Sequence, residues 1–167
     1  MFLANSTFEK YQALLILEEG LRPRRDTRVP ATHGESSPDC IYLTAAESFS
    51  RTKRWGNYHF SLDKDFVRKN PEQFKYFAYA RDSKFKRFLQ ENKIGFLEDK
   101  TLRSVDVIIP TSHQVISLEP IPLGYLDSMA IGLDHYDERF LKVLGILMPD
   151  EMNLYLEIRN GVWKKIK

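Results

Sequence analysis

The sequence predicts a single α+β domain, with mixed and antiparallel sheet flanked by short helices. Three observations carry that reading. At 167 residues the chain holds about one domain's worth of material. Its 43% hydrophobic and 29% charged content suffices for one core and excludes a wholly disordered protein. Along it, segments of two-residue period are interspersed with segments of helical period, and no internal repeat, low-complexity tract or second domain interrupts them.

Residues 1–4 read as a short strand. Ser6 and Glu9 have capping-box spacing, which predicts a helix from about Thr7 to Glu19. Phe8, Tyr11, Leu14, Leu15 and Glu18 fall at i, i+3, i+4 positions along it. Gly20 stands where a left-handed cap is wanted, and Leu21 is placed to fold back on the last turn. From 22 to 39 Pro23, Pro30, Gly34, Ser36, Ser37 and Pro38 break any regular element, so a long loop is expected. Residues 40–43 read as a buried strand. Thr44 and Glu47 form a second capping-box pair, predicting a helix over 45–53.

Residues 56–62 alternate, with Tyr58, Phe60 and Leu62 on one face and His59, Ser61 and Asp63 on the other. Asn70-Pro71 marks a helix start, and the stretch to Glu91 is expected to hold two helices broken near Asp82-Ser83. Residues 104–109 and 115–118 read as strands, the latter ended by Pro120-Ile121-Pro122. Residues 128–133 suit another strand, and 137–144 a short helix closed by Gly145. Asn160-Gly161 lies between 152–158 and 162–166, which predicts a β-hairpin with a type I′ turn.

Composition narrows the function. The longest apolar runs, such as 13–17, are far too short to span a bilayer, so no membrane association is expected. The first residues lack a basic segment and Glu9 interrupts any apolar one, so no secretory leader is expected. Cys40 is the only cysteine, which excludes an internal disulfide and a cysteine-cluster metal site. A reducing, cytoplasmic setting fits, with later delivery into another cell left open. His33, His59, His113 and His135 are scattered without ligand spacing, so no metal is expected. There is no Walker loop, no G-x-G-x-x-G, no H-E-x-x-H and no G-x-S-x-G.

With 25 basic against 23 acidic residues, binding to nucleic acid would have to come from a local patch. Arg22, Arg24, Arg25 and Arg28 make one group, and Arg51, Lys53 and Arg54 a second. The Lys84-Phe85-Lys86-Arg87-Phe88 segment interleaves basic and aromatic residues, although Phe85 and Phe88 have the spacing of a helix core.

What remains is an order of elements. A strand and Asn5-Ser6-Thr7 lead into a helix ending Glu18-Glu19-Gly20-Leu21-Arg22-Pro23. Ile41-Tyr42-Leu43-Thr44 and then Tyr58-His59-Phe60-Ser61-Leu62 follow. Later come Ser104-Val105-Asp106-Val107-Ile108-Ile109-Pro110, Ile121-Pro122 and Tyr125-Leu126. In this order the chain resembles the ADP-ribosyltransferase-like superfamily, which includes NAD-dependent toxin transferases, poly-ADP-ribose polymerases and RNA 2′-phosphotransferases. The matching segments are 2–23, 41–50, 57–62 and 104–127.

The resemblance implies an enzyme that moves ADP-ribose from NAD to a protein or nucleic-acid acceptor, as a small toxin or effector does. It implies that Asn5, Ser6 and Thr7 lie near the nicotinamide-ribose end of the site. Tyr42 and Thr44 would border the nicotinamide pocket, with Ser48 beyond them. Asp106 would occupy the place of the catalytic glutamate and stabilise the oxocarbenium-like charge that develops as nicotinamide leaves. Arg22, Arg24 or a neighbour would pair with the pyrophosphate through its planar guanidinium. Two positions depart from the family pattern. The opening strand has no His or Arg, and Asp106 is one methylene shorter than Glu, about 1.5 Å in reach. Glu119 is the nearby glutamate that stands in reserve. The alternative is a non-enzymatic protein on a similar fold that binds nucleic acid or inhibits a partner.

Overall fold

The structure is a computed structural model that describes residues 1–27, 37–77, 81–98 and 113–167. The described strands join in one mixed nine-stranded sheet. In chain order they are β1 (Phe2–Thr7), β2 (Ile41–Ala46), β3 (Tyr58–Leu62), β4 (Phe74–Tyr76) and β5 (Gly95–Phe96), then β6 (Gln114–Ser117), β7 (Leu126–Ile131), β8 (Asn153–Arg159) and β9 (Val162–Lys165). Across the sheet the order is β5-β4-β6-β2-β1-β3-β7-β8-β9. The β4–β5 and β7–β8 pairs are parallel and the rest antiparallel. The helices are α1 (Lys10–Glu19), α2 (Arg24–Thr27), α3 (Lys64–Lys69), α4 (Ser83–Glu91) and α5 (Glu138–Leu147).

Strand register sorts the side chains. Leu3, Leu43, Phe60, Met129 and Leu154 share one face and meet Ala13 and Leu17 of α1, Phe66 of α3, Phe85 and Phe88 of α4, and Phe140 and Leu144 of α5 in a continuous core. Burial of such side chains contributes about 1.5–3 kcal/mol each. The other face carries smaller and more polar residues: Thr44, Ala4, Ser6, His59, Ser61 and Ser128. A second cluster of Cys40, Phe77 and Ile116, with Tyr42 and Leu97 against it, covers one end of that face. A single sheet with α1, α3, α4 and α5 packed on one side is the α+β architecture in outline. Among the described residues no helix is long and apolar enough to cross a membrane.

Several sequence expectations give way to pairing between strands. Ser6 and Thr7 finish β1 instead of starting a helix, and α1 begins at Lys10. Ser6 Oγ meets His59 Nδ1 at 2.8 Å, and Thr7 Oγ1 donates to Gln12 Oε1, so neither hydroxyl caps. Thr44 likewise stays within β2, which runs to Ala46 because β1 and β6 both offer it ladder partners. In place of a 45–53 helix there are two 3₁₀ turns, Phe49–Arg51 and Lys53–Trp55. Asn70-Pro71 opens only a 3₁₀ turn, and β4 follows where the first of two helices was expected. The second of those helices is α4, capped by Asp82, whose carboxylate accepts from Phe85 N at 2.9 Å.

Helix α5 starts as expected, with Asp137 accepting from Phe140 N at 2.7 Å, but runs through Gly145 to Leu147 before Met148-Pro149 ends it. Gly20 takes φ 78°, as the cap reading anticipated, and donates to Ile16 O, while Leu21 exchanges two backbone bonds with Ile121, a partner distant in sequence. The β8–β9 hairpin forms around Asn160-Gly161, yet only Gly161 has positive φ, so the turn is not type I′. Part of the expected loop is helix α2. Residues 28–36 and the expected strand at 104–109 lie outside the described residues.

Candidate functional site

Strand ends build a concavity among the described residues. Strand β1 begins, β2 ends and β6 begins at the same edge of the sheet, since Phe2 pairs with Ala46 and Thr44 with Gln114. A groove of about 670 Å³ opens there, within the range of small-ligand sites. Thr44, Glu47 and His113 come from the strand ends, Arg51, Arg54 and Trp55 from the two 3₁₀ turns, and Arg81, Asp82 and Lys84 from the start of α4. Arg54 stacks its guanidinium 4.6 Å from the Trp55 ring centre. His113 lies flat on Phe85, centroids 4.7 Å apart, which anchors that wall to the core.

The turns that carry Arg51, Arg54 and Trp55 are tied to the sheet at three points. Thr52 is buried and its Oγ1 lies 2.9 Å from His59 Nδ1. Trp163 Nε1 donates to Ser50 Oγ at 2.9 Å. Lys53 Nζ donates to Glu157 Oε1 at 2.7 Å, and that carboxylate, fully buried, also accepts from Gly161 N and Leu133 N. Burial pushes Glu157 up, but the Lys53 ammonium and the two amides outweigh it and hold the carboxyl below the usual range. The result is a turn fixed by a satisfied buried charge.

Electrostatics within the groove favour an anion. Glu47 pairs with Lys84 at 2.9 Å, which lowers its pKa through that hydrogen bond and charge. Both side chains are more than half exposed, so the pair is weak and leaves Lys84 able to exchange partners. Asp82 is held below the usual carboxylate range chiefly by the Phe85 amide it caps. Among the described residues no three of His, Cys, Asp or Glu gather as a metal-ligating group.

The residues named from the sequence are divided between the groove and places outside it. Thr44 lines the groove, and Ser48 lies on the chain between two lining residues, Glu47 and Ser50. Tyr42 is two residues back on the same face as Thr44, edge-on to Phe77 with centroids 5.8 Å apart. Its hydroxyl accepts from Ser37 N at 2.7 Å, and burial raises its pKa, so the phenol stays protonated. Burial likewise raises Cys40. Asn5 Nδ2 donates to Tyr42 O at 3.0 Å, which joins those two positions, while Thr7 faces Gln12 instead.

Arg22 pairs with Glu19 at 3.5 Å, and Arg24 lies near Tyr42 and Cys40. Neither lines the groove, whose cations come from the second arginine group and from α4. Glu119 follows the far end of β6, beside the start of β2, and so lies away from the groove. Asp106 lies outside the described residues. Comparison with protein-family models gives no match for this chain, and comparison with curated proteins gives none.

Proposed function

We propose that the protein is an NAD-dependent ADP-ribosyltransferase whose dinucleotide substrate lies in the groove at the ends of β1 and β2. The observation that carries the reading is the meeting, in one groove of dinucleotide scale, of Thr44 from the Tyr42-Leu43-Thr44 strand with Arg51, Arg54, Arg81 and Lys84. Three of the four segments that carry the resemblance, 2–23, 41–50 and 57–62, include β1, β2 and β3, which are adjacent in the sheet. Arg51 and Arg54 supply the planar guanidinium contact that a pyrophosphate needs, a role the sequence had offered to the 22–28 group.

In this reaction the C–N bond between nicotinamide and ribose breaks, and nicotinamide leaves with the electron pair. The acceptor's nucleophile bonds the anomeric carbon and gives up its proton. Thr44 and Tyr42 border the nicotinamide pocket, and Asp106 holds the positive charge that grows on the ribose. The acceptor is a protein or a nucleic acid.

The test is nicotinamide release from NAD, followed by chromatography in the presence of cell lysate. Release should fall about a hundredfold in Asp106→Ala, as loss of a charge-stabilising group does. Arg54→Ala should raise KM with little change in kcat, as loss of uniform binding does. Absent release, together with no NAD binding by calorimetry at millimolar concentration, overturns the proposal and leaves a non-enzymatic binding protein.

A further inference from the structure

A second groove, about 350 Å³, runs on from the first between α3 and α4. The two share Met1, Glu47 and Lys84 in their walls, so they adjoin along the rim of the sheet as two parts of one basic channel, with the Glu47–Lys84 pair at their junction. To the four cations of the first groove the second adds Lys64, Arg68 and Arg87, all exposed. Seven basic side chains therefore line the channel against three acids, Glu47, Asp82 and Glu91. That local excess of four exceeds the +2 of the whole chain, so the other residues together are slightly acidic.

Two of the three acids are already engaged, Glu47 with Lys84 and Asp82 with the Phe85 amide. Within the first groove Trp55 supplies an aromatic surface beside the cations. Two adjoining grooves lined with spaced cations, one of them containing a tryptophan, match a chain of phosphates with stackable bases. The channel is recessed, so it suits a flexible single strand better than a duplex, whose recognition calls for an element that projects into a groove.

We infer that this channel binds single-stranded nucleic acid, with the backbone tracking from Arg51 and Arg54 past Lys84 to Arg87 and Arg68. Strand and dinucleotide would share Arg51 and Arg54, so the two exclude one another there; as a binding activity the inference stands apart from the transferase reading.

Fluorescence anisotropy of a dye-labelled 20-nucleotide single strand, titrated at several salt concentrations without NAD, reads the binding directly. Affinity should fall linearly with salt on logarithmic axes. Arg54→Ala combined with Arg87→Ala should weaken binding about tenfold or more and make the slope shallower by about 1.4, or 0.7 per lost phosphate contact. Lys164→Ala with Lys165→Ala on β9 removes the same charge from exposed positions outside the channel and should change neither. Tryptophan quenching on binding should disappear in Trp55→Phe, while Trp163 keeps its own emission.

No binding at low salt overturns the inference, as does equal weakening by the β9 pair or equally tight binding of the matching duplex. Nicotinamide release that persists without oligonucleotide binding leaves the transferase standing with another acceptor. Oligonucleotide binding with neither nicotinamide release nor NAD binding overturns the transferase alone.

Discussion

His59 is held where its charged form has no support. The side chain is fully buried on β3, and its Nε2 has no hydrogen-bond partner. Thr52 donates its single hydroxyl proton to Phe49 O at 2.9 Å, so its oxygen is left to accept from Nδ1. Ser6 Oγ also lies 2.8 Å from Nδ1 and can accept from the same N–H, so a ring with its proton on Nδ1 serves both hydroxyls and leaves Nε2 as a bare lone pair. Protonation would place a buried N–H at Nε2 with nothing to accept it. Burial lowers the pKa from 6.5 to about 4, the nearby Lys53 adds to the shift and Glu157 opposes it. The unfolded chain therefore takes up the proton first, and stability is lost as pH falls from 6.5 towards 4. The loss amounts to about 3 kcal/mol at about 1.4 kcal/mol per unit. His59→Asn retains a donor near the Nδ1 position and cannot titrate. Urea midpoints measured across this pH window should slope in the parent and flatten in the variant, whatever the variant's stability at pH 7. An unchanged slope would place the acid sensitivity elsewhere.

At the scale of elements, two glycines have opposite meanings. Gly20 sits at φ 78° between α1 and the Leu21–Ile121 bridge, and a Cβ there would lie 2.5 Å from Ile121 O and 2.8 Å from Leu123 N. Both neighbours are backbone and cannot move aside. Gly20→Ala should cost about 2 kcal/mol or more, from a clash added to a left-handed conformation. Gly145 lies inside α5 with no heavy atom within 4 Å of the Cβ position. Gly145→Ala should stabilise by about 0.5–1 kcal/mol through helix propensity. Thermal melts should shift in opposite directions, and a loss at Gly145 would show that the α5 backbone is not regular there.

The same distinction explains what the sequence made readable. Asp82 and Asp137 cap helices because their partners, Phe85 N and Phe140 N, are three residues away on the same element. Ser6 and Thr44 have equally good spacing but lie between strands, and a ladder on both sides outweighs one capping bond. Strands β4 and β5, of three and two residues, are too short to display a period. For the site, Thr44 and the Arg51–Arg54 group could be picked out by inspection. Their union with Arg81, Lys84 and Arg68 could not, because α3 and α4 reach that rim only through core contacts made far away in sequence.

For the whole molecule, sheet order sets a gradient of stability. Strand β1 is near the centre, flanked by β2 and β3, and its neighbours are flanked in turn by β6 and β7. Opening β1 requires breaking both ladders and exposing the core between Leu3, Leu43 and Phe60. Among the described strands the edges, β5 and β9, each have one neighbour, and β9 is half-exposed or exposed throughout. Amide hydrogen exchange should therefore be slowest in β1, β2, β3 and β7, reporting global unfolding, and fastest among the strands in β5 and β9. The 3₁₀ turns at 49–55 are the informative exception. They have no ladder of their own, yet Thr52, Ser50 and Lys53 tether them to His59, Trp163 and Glu157. If those tethers hold the groove wall, the Thr52 and Trp55 amides should exchange more slowly than the β9 amides in the free protein. Glu157→Gln, which weakens the Lys53 tether, should speed the turn selectively and leave β1 and β2 unchanged relative to one another. Turn amides that exchange as fast as an open loop in the parent would mean that the arginine-bearing wall is assembled only when a ligand arrives.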